Sequence, residues 1–384
     1  MRATIFRHKC EGLIRLTALC AVIMLFGGMP PSLSAASDAD IDMRAKIGQM
    51  LMVGFRGLAV NDASSIVRDI REGRIGGVVL FDYDVPSASP VRNIASPAQV
   101  KALTATLQEA ASVPLFVAVD QEGGRVSRLK ESFGFPPSVS AQHLGSLNDV
   151  DKTRQYADVM AETLAGLGIN LNFAPVVDLN TNPDNPVIGK LERSFSADPL
   201  VVTRQAIAVI DSLHDHGILS AVKHFPGHGS STTDSHEGFV DITETWSPEE
   251  MIPFDRIVKA GRCDMIMTAH VFNRKLDPAW PATLSPAVIH HFLRECMGYG
   301  GVVVSDDMQM KAIRGAYNLE TAIERAVLAG VDILLFANNS VFEEDIACRA
   351  GMILERLVKS GKIPADRIDE SYRRIMDLKK RLRS

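Results

Sequence analysis

Cysteine is scarce in this chain, which has five cysteines among 384 residues. Two of them, Cys10 and Cys20, lie in an N-terminal segment of distinct composition, which leaves Cys263, Cys296 and Cys348 in the remainder. Three widely spaced cysteines do not make the framework of a disulfide-stabilised secreted domain. No cysteines and histidines share the spacing of a metal site. We therefore expect free thiols, no metal and no other cofactor.

An excess of basic residues is also lacking. The chain has 41 Lys and Arg against 46 Asp and Glu, which gives a formal net charge of −5. Residues 1–36 contain four basic residues and one acidic residue, so the net charge without them is −8. Because no basic cluster offsets this acidic balance, nucleic acid is not an expected partner.

Long apolar runs are missing except near the N-terminus. A basic stretch that ends at Arg15 precedes an apolar run at residues 16–29, and Pro30-Pro31 and small residues up to Ala36 follow. These 14 residues are short for a membrane span, which needs about 20. The pattern predicts a signal peptide at residues 1–36 and export to the periplasm, with no stable membrane insertion after cleavage. Lipidation at Cys20 is a lesser alternative.

The rest of the chain alternates between short apolar runs and longer segments with helical spacing. The eight runs cover residues 49–55, 77–81, 115–119, 169–177, 218–222, 265–268, 302–305 and 331–336. Eight strands that alternate with helices in about 350 residues are typical of a (β/α)8 TIM-type barrel, an α/β fold. We predict one such domain at residues 37–384. An open doubly wound sheet is the alternative, because alternation alone does not show closure.

Polar side chains follow five of these runs. They are Asp120-Gln121-Glu122, Asp178-Leu179-Asn180, Lys223-His224, His270 and Asp306-Asp307. In a (β/α)8 barrel the carboxyl ends of the strands carry the active site. Helix capping explains any one of these groups, but it explains all five together poorly. The sequence therefore predicts a cleft where these groups converge.

Residues 223–236 are the most informative segment. They read Lys-His-Phe-Pro-Gly-His-Gly-Ser-Ser-Thr-Thr-Asp-Ser-His. An apolar run ends at Lys223 and His224, and a glycine-containing loop then leads to Asp234 and His236. An aspartate and a histidine two residues apart can form a hydrogen bond, which sets the tautomer and basicity of a general acid/base. Pro-Gly before polar residues is also typical of an ordinary surface loop.

The segment resembles the signature of family 3 glycoside hydrolases, in the branch of β-N-acetylglucosaminidases that trim murein fragments. That signature is Lys-His, an apolar residue, Pro-Gly, a free position, Gly, four free positions, Asp, Ser or Thr, and His. Every fixed position is filled here. Further segments are similar to the family's motifs in the expected order: residues 119–126 with Arg128, 175–195, 267–270, 281–285 and 301–308.

The resemblance implies a role for each matching residue. It makes Asp306 the nucleophile of a retaining reaction and His236, held by Asp234, the acid/base. Asp307 follows on a strand, so its side chain should point away from that of Asp306. The residues implied in sugar binding are Asp120, Arg128, Arg193, Lys223 and His224. Asp178 is similar in position to a framework residue near the pocket, and we assign it no role.

The implied function is that of an exo-β-N-acetylglucosaminidase that removes terminal β-linked N-acetylglucosamine, with peptidoglycan fragments as the expected substrate. It would need neither metal nor nucleotide and would act as a monomer. A β-glucosidase or β-xylosidase of the same family is one alternative. Those enzymes usually take their acid/base from a further domain. The other alternative is a catalytically inactive carbohydrate-binding protein. The presence of Asp234, His236 and Asp306 argues against it.

The chain departs from the family pattern at two places. Between Ile188-Gly189 and Arg193 it is two residues longer, which bears on how far Arg193 can reach. After the second apolar run, Phe81-Asp82-Tyr83-Asp84 replaces a turn that usually carries asparagine. These acidic residues either alter the aglycone side of the site or cap a helix, and we favour the helix cap.

Overall fold

The structure is a computed structural model that describes residues 41–382. The predicted signal peptide at residues 1–36 lies outside the described residues. Within residues 41–382, every helix is too short or too polar to cross a membrane.

Twelve strands are present in the described part of the chain. In chain order they are β1 Leu51–Gly54, β2 Gly77–Leu80, β3 Phe116–Val119, β4 Gln121–Gly123, β5 Val126–Ser127, β6 Leu171–Asn172, β7 Leu219–Phe225, β8 Val240–Asp241, β9 Met265–Thr268, β10 Val271–Phe272, β11 Val302–Ser305 and β12 Leu334–Phe336.

Eight of these strands form a parallel sheet in the order β11-β9-β7-β6-β3-β2-β1-β12. The sheet closes because Val304, in β11, forms a parallel bridge with Ile333, just before β12. The backbone N–H of Ser305 donates to the carbonyl of Ile333 at 2.9 Å across the same seam. The strands therefore follow one another round a barrel in chain order. This confirms the predicted (β/α)8 fold and excludes the open doubly wound sheet.

Helices surround the barrel, and at least one follows each of its strands. The α-helices are α1 Met43–Gln49, α2 Ser65–Arg71, α3 Pro97–Glu109, α4 Ala141–Leu147, α5 Val150–Gly166, α6 Pro199–Asp215, α7 Ile252–Lys259, α8 Lys311–Arg314, α9 Leu319–Ala329, α10 Ile346–Lys359 and α11 Ala365–Lys379. A π-helix spans Ala287–Cys296, and 3-10 turns lie at Glu131–Phe133, Pro248–Met251 and Ala282–Leu284.

Local sequence explains where several helices begin and end. Ser96 accepts a hydrogen bond from the backbone of Gln99, and Pro97 occupies the first turn of α3, where its missing N–H costs nothing. Helix α9 ends at Gly330, which adopts the left-handed conformation that favours glycine.

The barrel strands are short, apolar and buried, as expected when helices cover one face of a parallel sheet and side chains fill the interior. The largest deviation from the predicted strands is at β6, which covers two residues of the predicted 169–177. Pro175 has no backbone N–H to donate to a neighbouring strand, and the chain meets β7 again only at a bridge between Val176 and Lys223.

Candidate active site

The polar groups predicted to converge do meet at the carboxyl ends of the strands. A buried network of four charges links β7 to the segment after β3. The Lys223 ammonium lies 2.7 Å from Asp120 Oδ1 and 2.7 Å from Glu122 Oε1. The Arg193 guanidinium donates to both oxygens of Glu122, at 2.8 Å each. Bidentate pairs of this kind fix the orientation of both side chains.

The two cations keep both carboxylates ionised. Burial alone raises the pKa of Glu122, but Arg193 and Lys223 outweigh it and lower that pKa to about 2. Burial likewise raises the pKa of Asp120, and the charges of Lys223 and Arg128 bring it below its usual value. The sequence analysis named Glu122 among the converging polar groups but gave it no role in binding or catalysis. Its place two residues after Asp120, in the same glycine-bounded segment, was the signal that could have identified it.

Arg128 lies at the edge of this network, where it pairs with Asp120 and with Asp82, each at 3.6 Å. Asp82 is buried and also pairs with Lys130. The expectation that Asp82 and Asp84 cap a helix is therefore wrong, since the cap of α3 is Ser96 and Asp84 pairs with Arg56 and Arg92. An aspartate in this turn instead holds two cations at the mouth of the barrel.

The longer segment before Arg193 does not move its side chain away from the site. The backbone turns tightly there, with the N–H of Arg193 donating to the carbonyl of Ile188 at 3.1 Å. Glu192 takes up the left-handed conformation with φ 58°. The guanidinium consequently reaches Glu122, and its Nη2 lies 3.4 Å from His224 Nε2.

Asp178 is fully buried and organises the neighbourhood of His224. Its Oδ2 lies 2.6 Å from His224 Nδ1, and its Oδ1 accepts from the backbone N–H of His228 at 2.8 Å. Because a carboxylate accepts the Nδ1 hydrogen, His224 Nε2 is left to face Arg193 and the cleft. Burial raises the pKa of Asp178, but His224 lowers it more, so the carboxyl stays ionised. Sequence reasoning gave this residue no role.

The adjacent Asp306 and Asp307 have different surroundings, although both follow β11, which ends at Ser305, and neither lies on a strand as expected. Burial raises the pKa of Asp306, but His270, His224 and His236 bring it below its usual value. The Asp307 carboxylate faces the protein and accepts from the backbone N–H groups of Gln309 and Ala337, each at 3.0 Å. Burial raises the pKa of Asp307 to about 6.

His236 and Asp234 form the hydrogen-bonded pair that the sequence predicts. His236 Nδ1 lies 2.8 Å from Asp234 Oδ1, and the same oxygen accepts from the backbone N–H of His236 at 2.8 Å. The hydrogen bond to Asp234 raises the pKa of His236 above its usual value, and the negative charge of Asp306 adds to this. The His236 side chain is 64 % exposed, so its Nε2 can reach a bound molecule.

The arrangement combines a carboxylate whose pKa is lowered with an imidazole whose pKa is raised. The segments that carry them are in contact, because the carbonyl of Ser235, next to His236, accepts from the N–H of Ala312, six residues after Asp306, at 3.2 Å. A carboxylate nucleophile paired with a positioned proton donor can split a substitution at carbon into two easier steps. The charged groups around Lys223 offer donors and acceptors for a polyhydroxylated molecule.

Comparison with known proteins identifies the relatives of this chain. The profile of the Glycosyl hydrolase family 3 N terminal domain matches residues 42–378. Beta-hexosaminidase A of Pseudoalteromonas piscicida is 36 % identical over 338 residues, which cover 80 % of this chain and 54 % of that protein. The beta-hexosaminidase of Tolumonas auensis is 37 % identical over 273 residues, which cover 70 % of this chain and 78 % of that protein.

Solved structures give the same picture. A family 3 β-N-acetylglucosaminidase from Paenibacillus sp. str. FPU-7 has a TM-score of 0.81 and 37 % identity, covering 89 % of this chain and 62 % of that chain. LpqI of M tuberculosis has a TM-score of 0.76 and 30 % identity, covering 89 % and 94 % of the two chains. The chain thus spans only about half of the Pseudoalteromonas protein, 54 %, but 94 % of the solved LpqI chain.

The contact between His236 and Asp234 predicts a measurable titration. Replacing Asp234 with Asn removes a negative charge and a hydrogen-bond acceptor, so the pKa of His236 should fall. In the intact protein that pKa should lie above the ordinary value of about 6.5. NMR titration of isotope-labelled histidine measures both. Asp241→Asn is the matched control, because Asp241 also accepts from the backbone N–H of the residue two positions on. An unchanged His236 titration in Asp234→Asn would contradict the pairing.

Proposed function

The chain belongs to glycosyl hydrolase family 3, and on that basis we propose that it is a retaining exo-β-N-acetylglucosaminidase. The observation that carries this proposal is the Asp234–His236 pair on a loop that contacts the segment after Asp306, where the Ser235 carbonyl accepts from the N–H of Ala312 at 3.2 Å. Retention requires a nucleophile at the anomeric carbon and a proton donor at the leaving oxygen. The lowered pKa of Asp306 and the raised pKa of His236 favour the charge state that each role needs.

The reaction would proceed in two steps. An Asp306 oxygen forms a bond to the anomeric carbon while the glycosidic oxygen leaves with the proton of His236 Nε2, which gives a covalent glycosyl-enzyme. Water then attacks the anomeric carbon, His236 Nε2 takes the water's proton, and the bond to Asp306 breaks. Asp234 holds the Nδ1 hydrogen throughout, so Nε2 is the nitrogen that exchanges the proton.

Sugar binding would fall to the buried charges beside the nucleophile. Asp120 can accept hydrogen bonds from hydroxyl groups, and Arg193, Lys223 and Arg128 can donate to hydroxyl or acetamido oxygens. The relatives named beta-hexosaminidase and the Paenibacillus β-N-acetylglucosaminidase support an N-acetylated sugar. We propose peptidoglycan fragments as the natural source of this sugar, and a monomer as the acting form.

The proposal predicts a preference at the 2-position of the sugar. The purified protein should cleave an aryl β-N-acetylglucosaminide much faster than the matching β-glucoside, by about 100-fold or more in kcat/KM. Release of the aryl group measures both rates. Peptidoglycan fragments that end in N-acetylglucosamine are the next substrates to test. Preference for the glucoside would contradict the assigned specificity. Sugar binding without cleavage of either substrate would favour the inactive carbohydrate-binding protein.

The nucleophile assignment predicts the effect of one substitution. Asp306→Asn should lower kcat by at least about 1,000-fold, because the amide cannot form the glycosyl-enzyme, and should leave sugar binding measurable by calorimetry. Asp307→Asn is the neighbouring control. It should mainly lower thermal stability, since Asp307 accepts two backbone hydrogen bonds. An Asp306→Asn variant with full hydrolysis would rule out the assignment.

We also propose that the protein acts after export. This rests on the sequence of residues 1–36, which has the three parts of a signal peptide. Expression with residues 1–36 in a Gram-negative host should place the protein in the periplasmic fraction, with an N-terminus near Ala36 or Ser37. Intact mass spectrometry of the fractions measures this, and a cytoplasmic full-length chain would contradict it.

A further inference from the structure

Glu250 is a fully buried carboxylic acid that none of the steps above uses. It lies at the end of the 3-10 turn Pro248–Met251, which follows Trp246 and Ser247. Among the described residues, it takes part in no ion pair within 4 Å. Burial raises the pKa of Glu250 to about 7, and the nearby negative charge of Asp178 adds to the increase. A buried carboxyl without a cation costs stability, so its contacts call for an explanation.

One of them caps its own turn, because Glu250 Oε1 accepts from the backbone N–H of Ser247 at 3.5 Å. The others are with the first residues of the loop that carries Asp234 and His236, residues 226–239, here called the acid–base loop. The backbone N–H of Gly229 donates to Glu250 Oε2 at 3.1 Å. Gly227 packs so closely that a Cβ there would lie 2.5 Å from Glu250 Cβ. The indole Nε1 of Trp246 donates to the carbonyl of Pro226 at 3.1 Å. The Trp246–Glu250 segment therefore holds the start of the loop through hydrogen bonds to the loop's backbone.

The opposite side of the same loop segment is held by Asp178. Asp178 Oδ1 accepts from the N–H of His228 at 2.8 Å, so two carboxylates take two consecutive backbone amides. Gly229 is also tight against the carbonyl of Leu179, where a Cβ would approach to 1.7 Å. The start of the acid–base loop is thus held by Asp178 and Leu179 as well as by the Trp246–Glu250 segment.

His228 connects the start of the acid–base loop to the part that bears Asp234 and His236. The ring is buried, with Nδ1 2.8 Å from Ser231 Oγ and Nε2 3.3 Å from Ser235 Oγ. Ser235 stands between Asp234 and His236, and its carbonyl accepts from the N–H of Ala312 at 3.2 Å. Burial lowers the pKa of His228 to about 4, so the ring is neutral and acts as a spacer.

We propose that Glu250 is a positioning residue for the acid–base loop, which it holds through the backbone N–H of Gly229 so that His236 stays in reach of the leaving oxygen. The inference rests on the proposed function for its kinetic consequence. It goes beyond that function because Glu250 lies outside the signature segment 223–236 and touches neither Asp306 nor His236. His228, which fills a free position of that signature, transmits the constraint.

The kinetic test compares two substrates that differ in their need for a proton. N,N′-diacetylchitobiose has a sugar leaving group that must be protonated, whereas 2,4-dinitrophenyl β-N-acetylglucosaminide releases a stable phenolate. Glu250→Leu should lower kcat/KM for the disaccharide by about 10- to 100-fold, since a displaced acid loses much of its effect. The dinitrophenyl substrate should change by no more than about twofold.

Three further variants sharpen the comparison. Glu250→Gln keeps an oxygen that can accept from Gly229, so it should restore most of the disaccharide activity. Glu249→Gln is the matched control, because Glu249 is exposed in the same turn and should leave both substrates unaffected. His228→Leu should reproduce the selective loss, which keeps the test decisive if Glu250→Leu does not fold. Equal losses on both substrates in the folded variants would overturn the proposal.

Hydrogen exchange measures how well the backbone of the acid–base loop is held, and it does not depend on catalysis. In the full chain, Glu250→Leu should speed amide exchange within residues 226–239 by about tenfold or more, and Glu249→Gln should not. Unchanged exchange in a folded Glu250→Leu protein would overturn the positioning role even if the enzyme is active. If exchange is faster in the variant while the unsubstituted protein cleaves neither substrate, the positioning role stands and the proposed function is contradicted instead.

Discussion

The candidate site depends on the ion pairs that the Lys223 ammonium group forms with two carboxylates. It lies between Asp120 and Glu122, at 2.7 Å from each, in a buried position. Without it, two carboxylates from one segment would face each other in a medium that screens charge poorly. Glu122 in turn fixes Arg193, so one cation of β7 orders side chains from the segments after β3 and β6. Removing one partner from such a buried network typically costs about 3–5 kcal/mol.

The network also separates the site into a rigid half and an adjustable half. On the rigid half, Asp120, Lys223 and Arg193 are buried or nearly so and paired, which suits recognition of one fixed sugar ring. On the other half, His236 is 64 % exposed and is carried by a loop. A proton donor must meet leaving groups of different size, so a loop that is anchored at its first residues and open at its end fits that task.

The sequence predicted the fold and one hydrogen-bonded pair of the site better than it predicted the other contacts between site residues. Alternating runs and the polar residues after them favoured the barrel over an open sheet, because a barrel puts the carboxyl ends of all strands at one rim. Closure itself is established only by the bridge between Val304 and Ile333. The pairing of His236 with Asp234 could be predicted because the two residues are near neighbours in the chain. Glu122 was expected near the cleft without a role, and Glu250 was missed. Their contacts with Arg193, Lys223 and Gly229 join residues that are far apart in the chain.

Three histidines of the site show how environment rather than residue type assigns the acid. His228 is neutral because burial lowers its pKa to about 4. Burial also lowers the pKa of His270, whose Nε2 is engaged with the carbonyl of Asp307 at 2.9 Å. Of these three, only His236 combines a raised pKa with an exposed ring. A proton donor needs both properties, since it must hold its proton at neutral pH and must reach the leaving group. The same aspartate that raises the pKa of His236 also directs Nε2 outward, so Asp234 supplies both properties through one hydrogen bond.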